Sequence, residues 1–114
     1  MTPVPTDFEA VSSPSKLKAR LDWGEPALSI VDVRDRKAFN YERIMGAISM
    51  PISELVKRAQ SSFESNRDIY ICGDSNEQAF EAATQLQSAG FERVSTIDGG
   101  LPAWKAIGGS IEGQ

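Results

Sequence analysis

The sequence predicts a single α/β domain, built on a central and mainly parallel sheet with helices on both faces. Three observations carry that expectation. Apolar, β-branched runs of strand length recur at 27–33, 68–71 and 93–97. They alternate with segments of helical periodicity, an order that favours parallel strands joined by crossover helices. The runs themselves are nearly continuous in apolar residues rather than alternating, as strands covered on both faces are. A chain of 114 residues, 40% hydrophobic and 25% charged, suits one ordinary globular domain with one modest core.

Each element has its own local reason. Residues 1–7 are Pro-rich and polar and read as a flexible N-terminal arm, which leaves 8–111 as the domain. Phe8 to Val11 forms a short first strand. Ser13-Pro14 starts a helix, with Ser13 as N-cap and Pro14 at the first helical position. Leu17, Leu21 and Ala19 supply its apolar stripe, and Gly24-Glu25-Pro26 stops it. Ala27–Val33 is a buried strand. Asp35 caps a short helix over Arg36 to Tyr41, and Met45–Pro51 is a turn followed by a very short strand. Ser53 caps a helix reaching about Gln60, and 61–66 is a polar loop. Asp68–Ile71 is the second buried strand, with Cys72 at its carboxyl end.

A loop, 73–78, comes next, and then Ala79, Ala82, Ala83 and Leu86 at helical spacing, with Gly90 as the C-terminal stop. Arg93–Ile97 is the third strand. Asp98-Gly99-Gly100 is a turn, and Leu101–Ile107 a final helix with Trp104 facing inward, ended by Gly108-Gly109. No internal repeat or linker interrupts this order.

Composition removes several function classes. Twelve basic against sixteen acidic residues leave a net charge of −4, which disfavours nucleic acid and anionic membranes as partners. No apolar run approaches the roughly 18 residues of a membrane span. The N-terminal residues Met1–Pro5 are neither basic nor apolar, so no secretory signal is expected. There is no His, which excludes His-based metal sites and Ser-His or Cys-His catalysis within the chain. A single Cys permits neither an internal disulfide nor a Cys-x-x-Cys motif, and it suits a reducing, cytoplasmic setting. No metal and no cofactor are expected.

Chemistry concentrates at Cys72. A strand, a Cys, a six-residue loop and a helix start place backbone N–H groups and the positive end of a helix around one thiol. Those donors would make the thiol easier to ionise, and could hold a persulfide or an oxyanion. A buried core thiol is the alternative reading of the same residue.

Five segments, in order, resemble the rhodanese-like family of sulfurtransferase domains. Leu28–Arg34 resembles its strand ending in Asp-Val-Arg, and Phe39 with Ile44–Ile48 its Gly-Ala-Ile segment. Ile69–Cys72 resembles the strand that delivers the reactive Cys. Ala82-Ala83, Leu86 and Gly90-Phe91 resemble the helix after the loop. Val94, Asp98–Leu101, Trp104 and Gly108 resemble the closing segment. The resemblance implies that Cys72 is the nucleophile and carries sulfane sulfur from a donor, either a small molecule or a persulfide protein, to a thiol acceptor. It further implies that the backbone of Gly73, Asp74, Ser75, Asn76, Glu77 and Gln78 binds the substrate, with Asp32 and Arg34 supporting the site through a hydrogen-bond network.

The loop departs from the family pattern. Ser75 stands where Gly is usual, Glu77 where Arg is usual, and Gln78 where Ser is usual. Asp74 and Glu77 oppose thiolate formation and anionic donors if they point inward. Ser75-Asn76-Glu77-Gln78 also fits a capping box, in which Glu77 faces solvent and serves the helix. Two readings stay open: a sulfurtransferase with an atypical acidic loop, and a catalytically weak or inactive module that binds a partner protein. A Cys-dependent phosphatase would need Arg at position 78, where the chain has Gln78.

Overall fold

The buried runs lie side by side in one sheet, in a computed structural model that describes residues 9–24 and 27–113. The expected arm 1–7, Phe8 of the expected first strand, and Glu25-Pro26 of the expected helix stop lie outside the described residues. In chain order the elements are β1 (Val11–Ser12), α1 (Pro14–Asp22), β2 (Leu28–Asp32), α2 (Arg36–Tyr41), β3 (Glu42–Ile44) and β4 (Ile48–Ser49). A 3₁₀ turn (Ile52–Glu54), α3 (Leu55–Ser62), β5 (Asp68–Cys72), α4 (Asn76–Ser88), β6 (Val94–Ile97), α5 (Gly100–Ala106) and β7 (Ile111–Gly113) complete the described chain.

Five strands form the main sheet in the order β1-β6-β5-β2-β4, and every neighbouring pair is parallel. The expected α/β fold with a mainly parallel sheet is therefore present. β5 is the central strand, and its register with β2 places Ile30 opposite Tyr70 and Asp32 opposite Cys72. Alternation along β5 then sorts side chains between two cores. Ile69 and Ile71 pack with Val31, Val33, Leu55, Ala59 and the α4 face made by Ala79, Ala82, Ala83 and Leu86. Tyr70 and Cys72 pack on the other side with Ile30, Leu17, Ile97, Leu101 and Trp104, under α1 and α5.

The helix starts follow the local chemistry. Ser13 Oγ accepts from the N–H of Lys16, with Pro14 at the first position of α1. The Asp35 carboxylate accepts from the N–H of Ala38, and Ser75 Oγ from the N–H of Gln78. Trp104 is buried, and its indole N–H donates to Ser110 O at 2.8 Å, so the last helix is pinned to the chain that follows it.

Three local expectations change. Ser53 caps nothing: it lies inside the 3₁₀ turn, and α3 begins at Leu55 with no side-chain cap and runs on to Ser62. Leu21 and Ala19 are exposed, and Leu17 alone anchors α1 in the core. A second, two-stranded antiparallel sheet pairs β3 with β7, Ile44 opposite Ile111. Its strands carry Glu42, Arg43 and Glu112, charged residues that mask strand character in a short edge ribbon.

Gly109 shows how tightly the end of the chain is packed, since a Cβ there would overlap the indole ring of Trp104. Gly109→Ala should therefore cost about 1–3 kcal/mol, the usual range for forcing extra volume into a filled core. Urea denaturation measures the loss. Emission from Trp104 should shift to the red, whereas Trp23, which is 83% exposed, already emits as a solvated indole.

Candidate active site

Cys72 ends β5, and its thiol is fully buried. The parity of the strand turns Sγ toward the α1 and α5 side, while the backbone beyond it leads into α4 on the opposite face. Leu101, at the start of α5, packs in the same buried cluster as Cys72, and its backbone N–H favours the thiolate. Sequence reasoning singled out the backbone of 73–78 and did not single out Leu101. A signal was present in Asp98-Gly99-Gly100. Both glycines adopt left-handed angles, φ +80° and +58°, and a Cβ on Gly100 would stand 3.0 Å from the carbonyl oxygen of Gly73. Two successive glycines let this turn press against the Cys72 loop.

Several polar groups of the loop are spent internally. The N–H of Asp74 donates to the side-chain oxygen of Gln78 at 2.7 Å, and the N–H of Gln78 donates to Ser75 Oγ at 3.0 Å. The expected capping box is thus formed in a shifted version: its glutamine reaches the residue before the cap rather than the cap itself. Gly73 fits beneath this arrangement, because a Cβ there would lie 3.0 Å from the nitrogen of Ala79 and 3.1 Å from the Gln78 oxygen. Asp74, Ser75, Asn76 and Glu77 are exposed. Glu77 lies in the first turn of α4, where the positive end of the helix favours a carboxylate. Asn76 turns away from the loop toward the glycine turn: its side-chain oxygen accepts from the N–H of Gly99 at 3.0 Å, and its amide donates to Asp98 at 3.1 Å.

On the neighbouring strand, Asp32 is fully buried and Arg34 nearly so. The Arg34 guanidinium holds both Asp32 oxygens, Nε at 2.9 and 3.1 Å and Nη2 at 2.7 Å, and it also donates to the carbonyl of Glu42 at 2.7 Å. The Arg34 backbone N–H adds a fourth bond to Asp32, at 3.0 Å. These two residues form the expected hydrogen-bond network. Asp32 holds the Arg34 guanidinium above its ordinary pKa, chiefly through this hydrogen bonding.

The expectation that the thiol ionises easily is overturned. Burial, and secondarily the charge of Asp32, push the Cys72 pKa up to about 12. Arg34 and the Leu101 N–H pull it down, and Asp74 raises it further. Desolvation outweighs the donors because Cys72 is fully buried among apolar side chains.

The chain matches the family model described as "Rhodanese-like domain" over residues 13–107. The crystal structure of the Alr3790 protein from Anabaena sp. superposes with a TM-score of 0.88 at 58% identity, covering 90% of this chain and 91% of that one. Among curated proteins, the putative sulfur carrier protein YrkF of Bacillus subtilis is 32% identical over 87 residues, which is 76% of this chain and 46% of that protein. Thiosulfate sulfurtransferase GlpE of Tolumonas auensis is 28% identical over 82 residues, 72% of this chain and 76% of that protein. The chain spans about half the length of several of the curated relatives it matches.

Two outcomes follow from the electrostatics. The protonated Cys72 thiol favours the folded state fully below pH 9, its ordinary pKa, and this contribution is lost as the pH rises toward about 12. Wild-type stability should therefore fall relative to Cys72→Ser across that window, by up to about 1.4 kcal/mol per pH unit, in paired urea titrations. Second, Asp32→Asn strands a buried guanidinium and should cost about 3–5 kcal/mol. It should also speed alkylation of Cys72 by iodoacetamide at fixed pH, whereas Arg34→Met should slow it. Rates that move in the same direction in both variants would count against the charge account.

Proposed function

The chain belongs to the rhodanese-like domain family, and from that premise we propose that it carries sulfane sulfur as a persulfide on Cys72 and passes it to a thiol acceptor. One observation carries the reading: the chain's single cysteine ends the central strand of a parallel sheet, at the start of a loop leading into a helix. The relatives named as a sulfurtransferase and a sulfur carrier support the same class of chemistry. Transfer takes two displacements. The Cys72 thiolate attacks the outer sulfur of the donor, the donor's S–S bond breaks, and its inner sulfur leaves with the electron pair. An acceptor thiolate then attacks the outer sulfur of the Cys72 persulfide and restores the Cys72 thiolate.

The donor we favour is uncharged or protein-borne. Residues 73–78 contain two carboxylates and no cation. A like-charged pair at 4 Å costs roughly 1 kcal/mol in water and about 4 near a protein surface, and a dianion such as thiosulfate meets this repulsion twice. The partners are then a persulfide-bearing donor and a thiol acceptor, in a reducing cytoplasmic setting. A second reading, a module that binds a partner protein without transferring sulfur, draws support from the raised pKa of the thiol.

Incubation with persulfide donors, followed by mass spectrometry, tests the choice. The expected product is one added sulfur on Cys72, absent in Cys72→Ser. Thiosulfate should load poorly, and Glu77→Arg should improve it several-fold. A wild-type protein that never acquires sulfur, yet holds a partner equally well as Cys72→Ser, would establish the binding module instead. High thiosulfate activity left unchanged by Glu77→Arg would remove the argument for an uncharged donor.

A further inference from the structure

We infer that Gln78 is a specificity-determining residue, whose side-chain oxygen sits on the Asp74 N–H in the place of an anion and so closes the loop to anionic donors. This rests on the proposed sulfur transfer, in which the backbone of 73–78 receives the donor. Three observations carry it. The Gln78 oxygen accepts from the N–H of Asp74 at 2.7 Å, at the short end for a bond of this kind. The side chain reaches back four residues to make the bond, one beyond the Ser75 N–H that a capping box takes. It therefore spans the loop, from the first turn of α4 to the residue two beyond Cys72.

The oxygen also lies inside the loop. A Cβ on Gly73 would stand 3.1 Å from it, 3.2 Å from the carbonyl oxygen of Ser75 and 3.0 Å from the nitrogen of Ala79. The bare glycine leaves the room that the carboxamide fills. Neighbouring donors are spent in the same way. The N–H of Gln78 donates to Ser75 Oγ at 3.0 Å, and the N–H of Ala79 to Ser75 O at 3.0 Å. The loop thus satisfies these three N–H groups from its own atoms.

An amide oxygen carries partial negative charge, and N–H groups at a helix start attract it as they attract an anion. Gln78 is therefore an internal competitor. Its tether presents it to the Asp74 N–H at a high effective concentration. It carries no net charge, so Asp74 and Glu77 do not repel it as they repel a dianion. A side chain as short as Ser or Ala at this position does not reach Asp74.

Thiosulfate titrated into the isotope-labelled full chain tests this, with the Asp74 amide followed by NMR. Gln78→Ala, Gln78→Met and Gln78→Glu are compared with wild type, each also in the Glu77→Arg background, where repulsion is reduced. One hydrogen bond corresponds to about three- to tenfold in affinity. Gln78→Ala should bind thiosulfate more tightly by that factor, with a saturable shift of the Asp74 amide. Gln78→Met keeps the length without the oxygen and should gain equally, and it serves if Gln78→Ala proves unstable. Gln78→Glu keeps the oxygen, adds charge and should bind more weakly than wild type. Unchanged affinity in the Ala and Met variants would overturn the inference. A gain in Gln78→Ala alone would also overturn it, by assigning the exclusion to bulk. Binding is read whether or not sulfur moves, so the two readings fail separately. Tighter thiosulfate binding with no sulfur ever found on Cys72 would defeat sulfur transfer and leave the role of Gln78 standing.

Discussion

The parallel pairing of β2 with β5 is the constraint on which the rest of the molecule depends. It sets Asp32 directly beside Cys72 and leaves both residues at the carboxyl edge of the sheet. Backbone bonds carry the pairing past the strand ends, because the N–H of Val33 donates to Cys72 O at 3.0 Å. A slip of one residue would turn Cys72 into the α3 and α4 core, and would send Ile71 toward the glycine turn. The same alternation puts Cys72 in the core under α1 and α5.

The site balances two opposing demands. Packing wants an apolar residue between Tyr70, Ile97 and Trp104, and a thiol satisfies it. Nucleophilic chemistry wants an anion at the same place. Asp32 worsens this conflict, and Arg34, held in position by Asp32 itself, relieves part of it. The ion pair is therefore not a simple activator. It brings a cation close to the sulfur at the cost of the carboxylate needed to fix that cation.

The sheet was legible in the sequence because its strands are dense in β-branched residues and must be buried on both faces. Ala27–Val33 and Asp68–Cys72 satisfy that physics with little help from distant contacts. The helix caps at Ser13, Asp35 and Ser75 were legible for a similar reason, since each bond spans three residues. The ribbon of β3 and β7 was not legible. Its strands lie far apart in the chain, are rich in charge, and are held together by a pairing that only the folded chain supplies. The thiol's burial was not legible, because a strand–loop–helix pattern shows donors along the chain but not which core a side chain enters. Strand parity puts Cys72 in the core under α1 and α5. Asn76 was legible as a loop residue and not as a tether, since its partners lie more than twenty positions away.

Burial of Cys72 also bears on how long the protein lasts. The chain has no second cysteine to trap a sulfenic acid as a disulfide. A sulfenic acid formed there would go on to sulfinic acid unless a thiol of another molecule captured it first. A thiol kept protonated and out of water reacts slowly with peroxides, since the thiolate is the reactive form. The apolar wall that makes Cys72 a reluctant nucleophile thus acts as its shield, and resistance to irreversible damage comes from the same atoms that restrain its reactivity.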